Sequence, residues 1–172
     1  GNSAMTLEIH DRLAHMGGLN GTLTTAQTVG IDFASLSSDN LAARKGDANY
    51  SDVQWWLEWY TATGSTASSA TVNVTYNDGT TGNLTAQALA ATRPASHMIP
   101  LNGLIPAAAA GKYIRGVNTV THATTGTAGN YGVTATRYRA ANFHPIANAR
   151  FTADWPALGI PEIGNNSCLF GV

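Results

Sequence analysis

The sequence predicts an all-β protein, a sandwich of jelly-roll type with extended N- and C-terminal arms. Residues 53–60 (VQWWLEWY) and the Thr-, Val-, Gly- and Asn-rich run over residues 68–86 are typical of strands, because aromatic and β-branched residues suit a pleated, half-buried surface. Short apolar runs recur about every 8–12 residues with polar turns between them, which indicates a sandwich or barrel. A jelly roll is one way in which such strands close off their edges. An immunoglobulin-like sandwich is the alternative that the sequence leaves open.

The N-terminal part gives mixed signals. Residues 3–13 fit either a short helix or an extended arm, and two glycines end this segment. Residues 19–29 alternate loosely between apolar and polar and predict a strand. Residues 30–50 contain several Ser, Asp, Asn and Gly residues, and they predict a long surface loop with one helical turn around Leu41–Arg44.

The central part gives the clearest prediction. Residues 53–63 are predicted to form a strand, and residues 70–76 alternate with a period of two. The turn Asn77-Asp78-Gly79 follows directly. Asp-Gly between alternating runs is one of the strongest short signals for a β-hairpin. We therefore predict a return strand over residues 80–88.

Further strands are predicted after the hairpin. Residues 97–99 are predicted to form a short strand between two prolines. Residues 112–122 alternate, and we expect Ile114 and Val120 on the inward face. Residues 131–139 follow a Gly-rich turn and predict another strand.

The C-terminal residues 143–172 differ from the rest of the chain in composition. This difference defines the predicted domain organisation. Prolines recur among its apolar residues, and proline interrupts both helices and strand ladders. We expect a single β-domain over residues 1–172, with an N-terminal arm at 1–18, a sandwich body at 19–142 and a Pro-rich C-terminal arm at 143–172. One last short strand is predicted at Cys168-Leu169-Phe170.

Composition narrows the class of function. Charged residues make up only 11% of the chain and the formal net charge is −1, against about 25% charged residues in an ordinary domain. Weak charge gives little repulsion between copies, so it favours a subunit that works in an assembly. Nucleic-acid binding is not expected because no basic stripe is present. No apolar run approaches the roughly 18 residues of a membrane span, so no membrane association is expected.

Few residues carry the marks of enzyme chemistry. The five histidines lack the clustered spacing of a zinc site. His10 and His15 are five residues apart, which does not place them on one helix face. No carboxylate pair stands out as a general acid and base, and Cys168, in an apolar stretch, is expected to be a buried small hydrophobe. We expect no enzyme activity, no catalytic residue, no cofactor and no metal ion.

The aromatic strand has two faces. Its odd-numbered residues from 53 to 59 are all apolar and predict core. Trp56, Glu58 and Tyr60 share the opposite face, which fits a protein interface best, core packing less well and stacking on a sugar least well. The expected interface residues on this face and on the two arms are Ile9, Leu13, Trp56, Tyr60, Phe143, Phe151, Trp155 and Ile160.

The order of motifs along most of the chain resembles a group of tailed-phage virion proteins. The matching segments are residues 9–22 (IHDRLAHMGGLNGT), 24–28 (TTAQT), 56–64 (WLEWYTATG), 77–79 (NDG), 115–117 (RGV), 124–134 (TTGTAGNYGVT), 159–163 (GIPEI) and 167–169 (SCL). Residues 30–52 depart from the pattern, being longer and more polar than it implies.

The resemblance implies a structural virion component without enzymatic activity. We expect a capsid cement or decoration subunit that stabilises the head by contacts with the major capsid protein or other virion subunits. It would be a homotrimer, located in the virion after assembly in the host bacterial cytoplasm. The alternative is a tail or fibre-associated protein involved in host attachment.

Overall fold

The computed structural model describes residues 5–36, 41–126, 128–144, 152–154, 156–159, 163 and 166–172. Over these residues the strands are β1 (Met5–Asn20), β2 (Gln27–Asp32), β3 (Val53–Trp59), β4 (Ser68–Tyr76), β5 (Thr81–Asn83), β6 (Gln87–Leu89), β7 (Met98–Pro100), β8 (Ile114–His122), β9 (Asn130–His144) and β10 (Leu169–Gly171). A single helical turn, α1 (Leu41–Arg44), and two short 3₁₀ turns (Asn102–Leu104 and Ala107–Ala109) complete the list. The helices described are all far too short to cross a membrane.

The strands form two antiparallel sheets. The first sheet has the order β10-β1-β9-β3-β7, and the second has the order β2-β8-β4-β5, with β6 also paired to β4. Side chains from both sheets meet in one core cluster. The predicted all-β class, a sandwich of antiparallel sheets, is therefore confirmed.

The core is built around the odd-numbered residues of β3. Val53, Trp55, Leu57 and Trp59 are all buried, whereas the residues between them are only half-buried. Trp55 also connects the sheets, because its indole Nε1–H donates to the Ile114 carbonyl oxygen at 2.9 Å. The prediction for the core face of this strand is confirmed.

The N-terminal segment differs from both interpretations of its sequence. From Met5 onward the chain is strand β1, hydrogen-bonded between β9 and β10, so it is neither a helix nor a free arm. Residues 21–26 turn away between β1 and β2, so the single strand predicted over residues 19–29 is wrong as well. Bulges and glycines inside β1 break the regular alternation by which a strand is recognised.

The predictions for the middle of the chain agree better with the structure. The hairpin is confirmed, with Thr75 paired to Thr81 across the turn, although the return strand is short. Ile114 and Val120 are buried as expected. Val117 is buried too, because a register shift in the pairing with β4 changes which residues of β8 face inward. Of the predicted C-terminal arm, only the described residues can be compared, and its last residues form β10 beside β1.

A buried ion pair joins three distant parts of the chain. Arg44 of α1 donates to both carboxylate oxygens of Asp11, at 2.6 and 2.9 Å, and the Cys168 backbone N–H donates to the same carboxylate at 2.9 Å. Asp11 is 1% exposed and Arg44 is 9% exposed. The contact fixes α1 and the approach to β10 onto β1. Cys168 itself is exposed, so the expectation that it is buried is wrong.

Candidate interaction face on the first sheet

The surface of the first sheet that points away from the core carries a continuous set of polar and aromatic side chains. We call it the outer face. Its residues come from β1, β3, β9 and the residue that follows β3, and they are His10, Arg12, His15, Trp56, Glu58, Tyr60, Thr134 and Thr136.

A bulge in β1 places His10, Arg12 and His15 on the same face of the sheet. Arg12 is paired with Thr136 and Ala14 with Ala135, which leaves Leu13 as an extra residue between them. Side chains alternate along a regular strand, so His10 and His15 would otherwise point to opposite faces. The extra residue shifts the alternation by one, and both histidines contact threonines of β9.

One chain of hydrogen bonds connects Tyr60 to Glu58 through β1 and β9. The Tyr60 hydroxyl contacts His15 Nε2 at 2.9 Å, and His15 Nδ1 contacts the Thr134 hydroxyl at 2.8 Å. Thr134 in turn donates to the Glu58 carboxylate. Because a carboxylate only accepts, the donors follow in one direction: Tyr60 O–H to His15, His15 Nδ1–H to Thr134, and Thr134 O–H to Glu58.

The electrostatics of this chain agree with a neutral His15. Burial lowers the pKa of His15 and Arg12 lowers it further, which together outweigh the opposing charge of Glu58. Burial, and then the charge of Glu58, raise the pKa of Tyr60 to about 12. Tyr60 therefore stays a hydroxyl donor, and His15 Nε2 accepts from it, at neutral pH.

A second chain runs beside the first. The Trp56 indole Nε1–H donates to the Thr136 hydroxyl at 2.8 Å, and that hydroxyl contacts His10 Nδ1 at 3.1 Å. His10 Nε2 contacts the Glu8 carboxylate at 3.0 Å. The His10 ring also lies edge-on to Trp56, with the ring centres 5.9 Å apart. Trp56 is thereby held by a hydrogen bond and by packing.

Arg12 connects this face to the end of the chain. Its guanidinium donates to both Glu58 oxygens, at 3.0 and 3.2 Å, and it also lies 4.7 Å from the centre of the Phe170 ring of β10. Such an arginine is fixed by two kinds of contact, an ion pair and a cation–π contact.

The contacts on the outer face fix the orientation of its side chains. Thr134 and Thr136 are fully buried under the histidines, so their hydroxyls are not open to a substrate. Tyr60, at 37% exposed, and the half-buried Trp56 present their rings at the surface. Trp, Tyr and Arg are the residue types enriched at the energetic centres of protein interfaces.

The predicted interface residues have different positions. Trp56 and Tyr60 lie on the outer face, and Phe143 is 58% exposed near the end of β9. Ile9 is half-buried in β1, and Leu13 packs against the core. Phe151, Trp155 and Ile160 are outside the described residues.

Sequence reasoning missed the polar partners on this face. His10, Arg12 and His15 were not expected there, since the spacing of the histidines argues against a common face unless a bulge intervenes. Within the described part of the chain, His, Cys, Asp and Glu form no group of three or more that could hold a metal ion.

An open groove lies near the start of β3. It has a volume of about 300 Å³ and is lined by Ser51, Asp52, Gln54, Arg137 and Tyr138. Tyr138 is 44% exposed. The lining combines one exposed aromatic ring with several hydrogen-bonding side chains.

Comparisons of the chain with models of protein families, with curated proteins and with solved structures found no match.

Proposed function

We propose that this chain is a structural subunit of a tailed-phage virion, a capsid cement or decoration protein that stabilises the head by binding the major capsid protein or other virion subunits. The ordered motifs of the sequence support this assignment, and so does the low charge content of 11%. In this proposal the protein acts by contact alone, without catalysis or cofactor, in virions assembled in the bacterial cytoplasm.

The strand order supports a jelly roll as the finer description of the sandwich. Strands β1, β9, β3 and β7 are neighbours in one sheet, and β2, β8, β4 and β5 are neighbours in the other. Eight strands divided in this way between two sheets match the double Greek-key arrangement of a jelly roll, an architecture found in viral capsid and lectin domains. The fold is shared by many functions, so it supports the proposal without deciding it.

The observation that carries the proposal is that the outer face is ordered before it binds anything. Trp56, Tyr60 and Arg12 are each held by hydrogen bonds to neighbouring side chains. Ordering a side chain on binding costs about 0.5–1.5 kcal/mol, so residues that are already fixed lose less freedom in an interface. We place the contact with the shell on this face.

Replacement of Tyr60 by alanine is expected to weaken binding to capsid shells that lack this subunit by about tenfold or more. The reason is loss of an exposed ring and of the hydrogen bond to His15. Binding is measured by co-sedimentation of purified protein with the shells. Tyr113→Ala is the matched control, because Tyr113 is also 37% exposed but lies next to β8 in the second sheet. Equal binding by the Tyr60→Ala variant and the parent would contradict the assignment of the face.

The proposed assembly state is a homotrimer, since closed rotational symmetry is usual for subunits of assemblies. Light scattering of the purified chain measures its mass directly. A trimer agrees with the decoration role, and a monomer at all concentrations contradicts the trimer.

The groove beside Tyr138 favours a second candidate function, a tail or fibre-associated protein that attaches to a host glycan. A sugar ring could stack on Tyr138 while its hydroxyls bond to Asp52 and Arg137. Titration with host polysaccharide is then expected to change the Trp fluorescence, because His10 contacts both Tyr138 and Trp56. Tyr138→Ala should remove the response. No change at millimolar sugar would exclude this candidate.

A further inference from the structure

Arg93 is a buried arginine in the loop between β6 and β7. It is only 7% exposed. Its backbone is fixed on both sides, because the Arg93 N–H donates to the Thr63 hydroxyl at 2.7 Å and the Thr63 N–H donates to the Arg93 carbonyl at 2.9 Å. The backbone that carries this side chain is therefore held in place by the fold.

The guanidinium of Arg93 has no partner among the described residues. Nη1 is buried without a hydrogen bond, and no ion pair or aromatic ring accompanies the side chain in that part of the chain. Four other arginines do form ion pairs with acids, namely Arg12, Arg44, Arg115 and Arg137. Arg93 differs from these in that its Nη1 atom is removed from water and no acid among the described residues lies beside its guanidinium.

A buried guanidinium without a partner is unfavourable unless a bound group supplies a negative charge beside it. Arginine is almost never buried without a partner, and a buried charge without an opposite charge strongly destabilises a fold. Burial is the cause that lowers the pKa of Arg93, with no acid acting against it. The Arg93 side chain thus lacks the anion with which a buried arginine normally pairs.

The surrounding loop adds a second side chain, His97, whose neutral ring can donate one hydrogen bond. His97 is exposed, and burial and then the positive charge of Arg93 lower the pKa of His97. The loop is attached to β3 by hydrogen bonds from the Ser96 N–H to the Trp59 carbonyl and from the Trp59 N–H to the His97 carbonyl. These bonds hold the backbone on either side of the His97 side chain in place.

We propose that Arg93 binds a small oxyanion, a carboxylate or a phosphate group, with His97 at the side of the site. The planar fork of a guanidinium matches two oxygens of either group. The anion supplies the negative charge that the described residues do not. This inference is independent of the proposed function, because the site lies in the 92–97 loop and its test uses the isolated chain.

The test is thermal unfolding of the purified protein in increasing inorganic phosphate or sodium acetate, with sodium chloride at equal ionic strength as reference. A ligand that binds the folded state raises the Tm with its concentration. We expect phosphate, acetate or both to raise the Tm above the chloride reference. Phosphate also stabilises folded proteins by exclusion from their surface, so only a response that Arg93→Met lacks counts as binding. Such a response to phosphate alone identifies a phosphate site, and such a response to acetate identifies a carboxylate site. Equal curves in all three salts would overturn the proposal.

Variants of Arg93 distinguish a ligand site from a structural arginine. Arg93→Met keeps an apolar stem and removes the charge, so it should be at least as stable as the parent in chloride and show no response to the active anion. Marked destabilisation of this variant in chloride would mean that the guanidinium has a partner within the protein, and the proposal would fail.

Two further variants complete the design. Arg93→Lys keeps the charge but loses the fork, so it should fold and bind the active anion several-fold more weakly. An unchanged response in Arg93→Lys would contradict recognition by the fork. Arg137→Met is the matched control, since Arg137 is paired with Asp52, and it should retain the full response to the anion. Loss of the response in this control would show that the anion effect does not belong to Arg93.

Discussion

Replacement of Asp11 by asparagine is expected to lower the free energy of unfolding by about 3–5 kcal/mol, the range for a buried ion pair that loses one partner. Arg44 would keep its charge in a site where it is only 9% exposed. The Cys168 backbone N–H would also lose a charged acceptor. Urea denaturation followed by circular dichroism measures the change.

The control for this variant is Asp32→Asn. Asp32 accepts two hydrogen bonds from Arg115 at 2.9 Å, but its side chain is 28% exposed. Solvent screens such a pair, so the expected loss is about 1 kcal/mol or less. Equal losses in the two variants would show that burial is not what makes the Asp11 pair important.

The same ion pair predicts a dependence of stability on pH. Burial raises the pKa of Asp11, but hydrogen bonds from Arg44 and Cys168, together with the charge of Arg44, hold that pKa below its ordinary value of 3.8. A carboxyl group with a lowered pKa contributes stability that is fully present above its ordinary pKa and is lost as the pH falls through its value in the folded state. Acid titration of stability should therefore be shallower in the Asp11→Asn variant than in the parent.

Replacement of Trp55 by alanine is expected to cost about 3–5 kcal/mol, the usual range for a fully buried aromatic side chain. Trp55 is 0% exposed, packs against Phe33 and donates to the Ile114 carbonyl of the other sheet. The variant would leave a cavity between the sheets and a carbonyl without its donor. Chemical denaturation monitored by circular dichroism gives the value.

The neighbouring residue Trp56 provides the matched control. Trp56 is half-buried on the outer face. Its replacement by alanine removes one hydrogen bond, which the indole donates to Thr136. Trp56→Ala should cost about 1–2 kcal/mol, because the ring is only partly removed from water. It should nevertheless weaken binding to capsid shells in the same way as Tyr60→Ala. A larger loss of stability in Trp56→Ala than in Trp55→Ala would contradict the assignment of the two faces of β3.

The alternation of β3 could be predicted from the sequence because the strand is regular. Four apolar residues at every second position indicate one face, and the structure places them in the core. The Asn77-Asp78-Gly79 turn was predictable for a similar reason, since its conformation depends on local residues. Gly79 has a φ of 87°, a value that glycine adopts without strain.

The N-terminal strand could not be predicted because its pattern is interrupted. The bulge at Leu13 and the irregularity between Met16 and Leu19 each shift the alternation by one residue. A sequence pattern shows the average period and not the position of an extra residue. The grouping of His10 with His15 depends on one such bulge and is invisible without the pairing with β9.

The buried charges were equally hard to predict. Asp11 and Arg44 are 33 residues apart in the sequence, and they meet only because α1 packs against β1. Nothing local distinguishes Arg93, which lacks a partner among the described residues, from the arginines that have one. Charge pairing of this kind follows from the three-dimensional contacts and not from composition.

The position of β1 between β9 and β10 has a consequence for synthesis of the protein. Met5 pairs with His144 and Asn20 with Asn130, so each contact of β1 with β9 joins residues far apart in sequence. A nascent chain leaves the ribosome from its N-terminus, so β1 must wait for its partners until nearly all of the domain has been translated. Contacts of such high sequence separation slow folding. We therefore expect the first sheet to assemble late, mostly after translation, with β1 exposed to chaperones in the meantime.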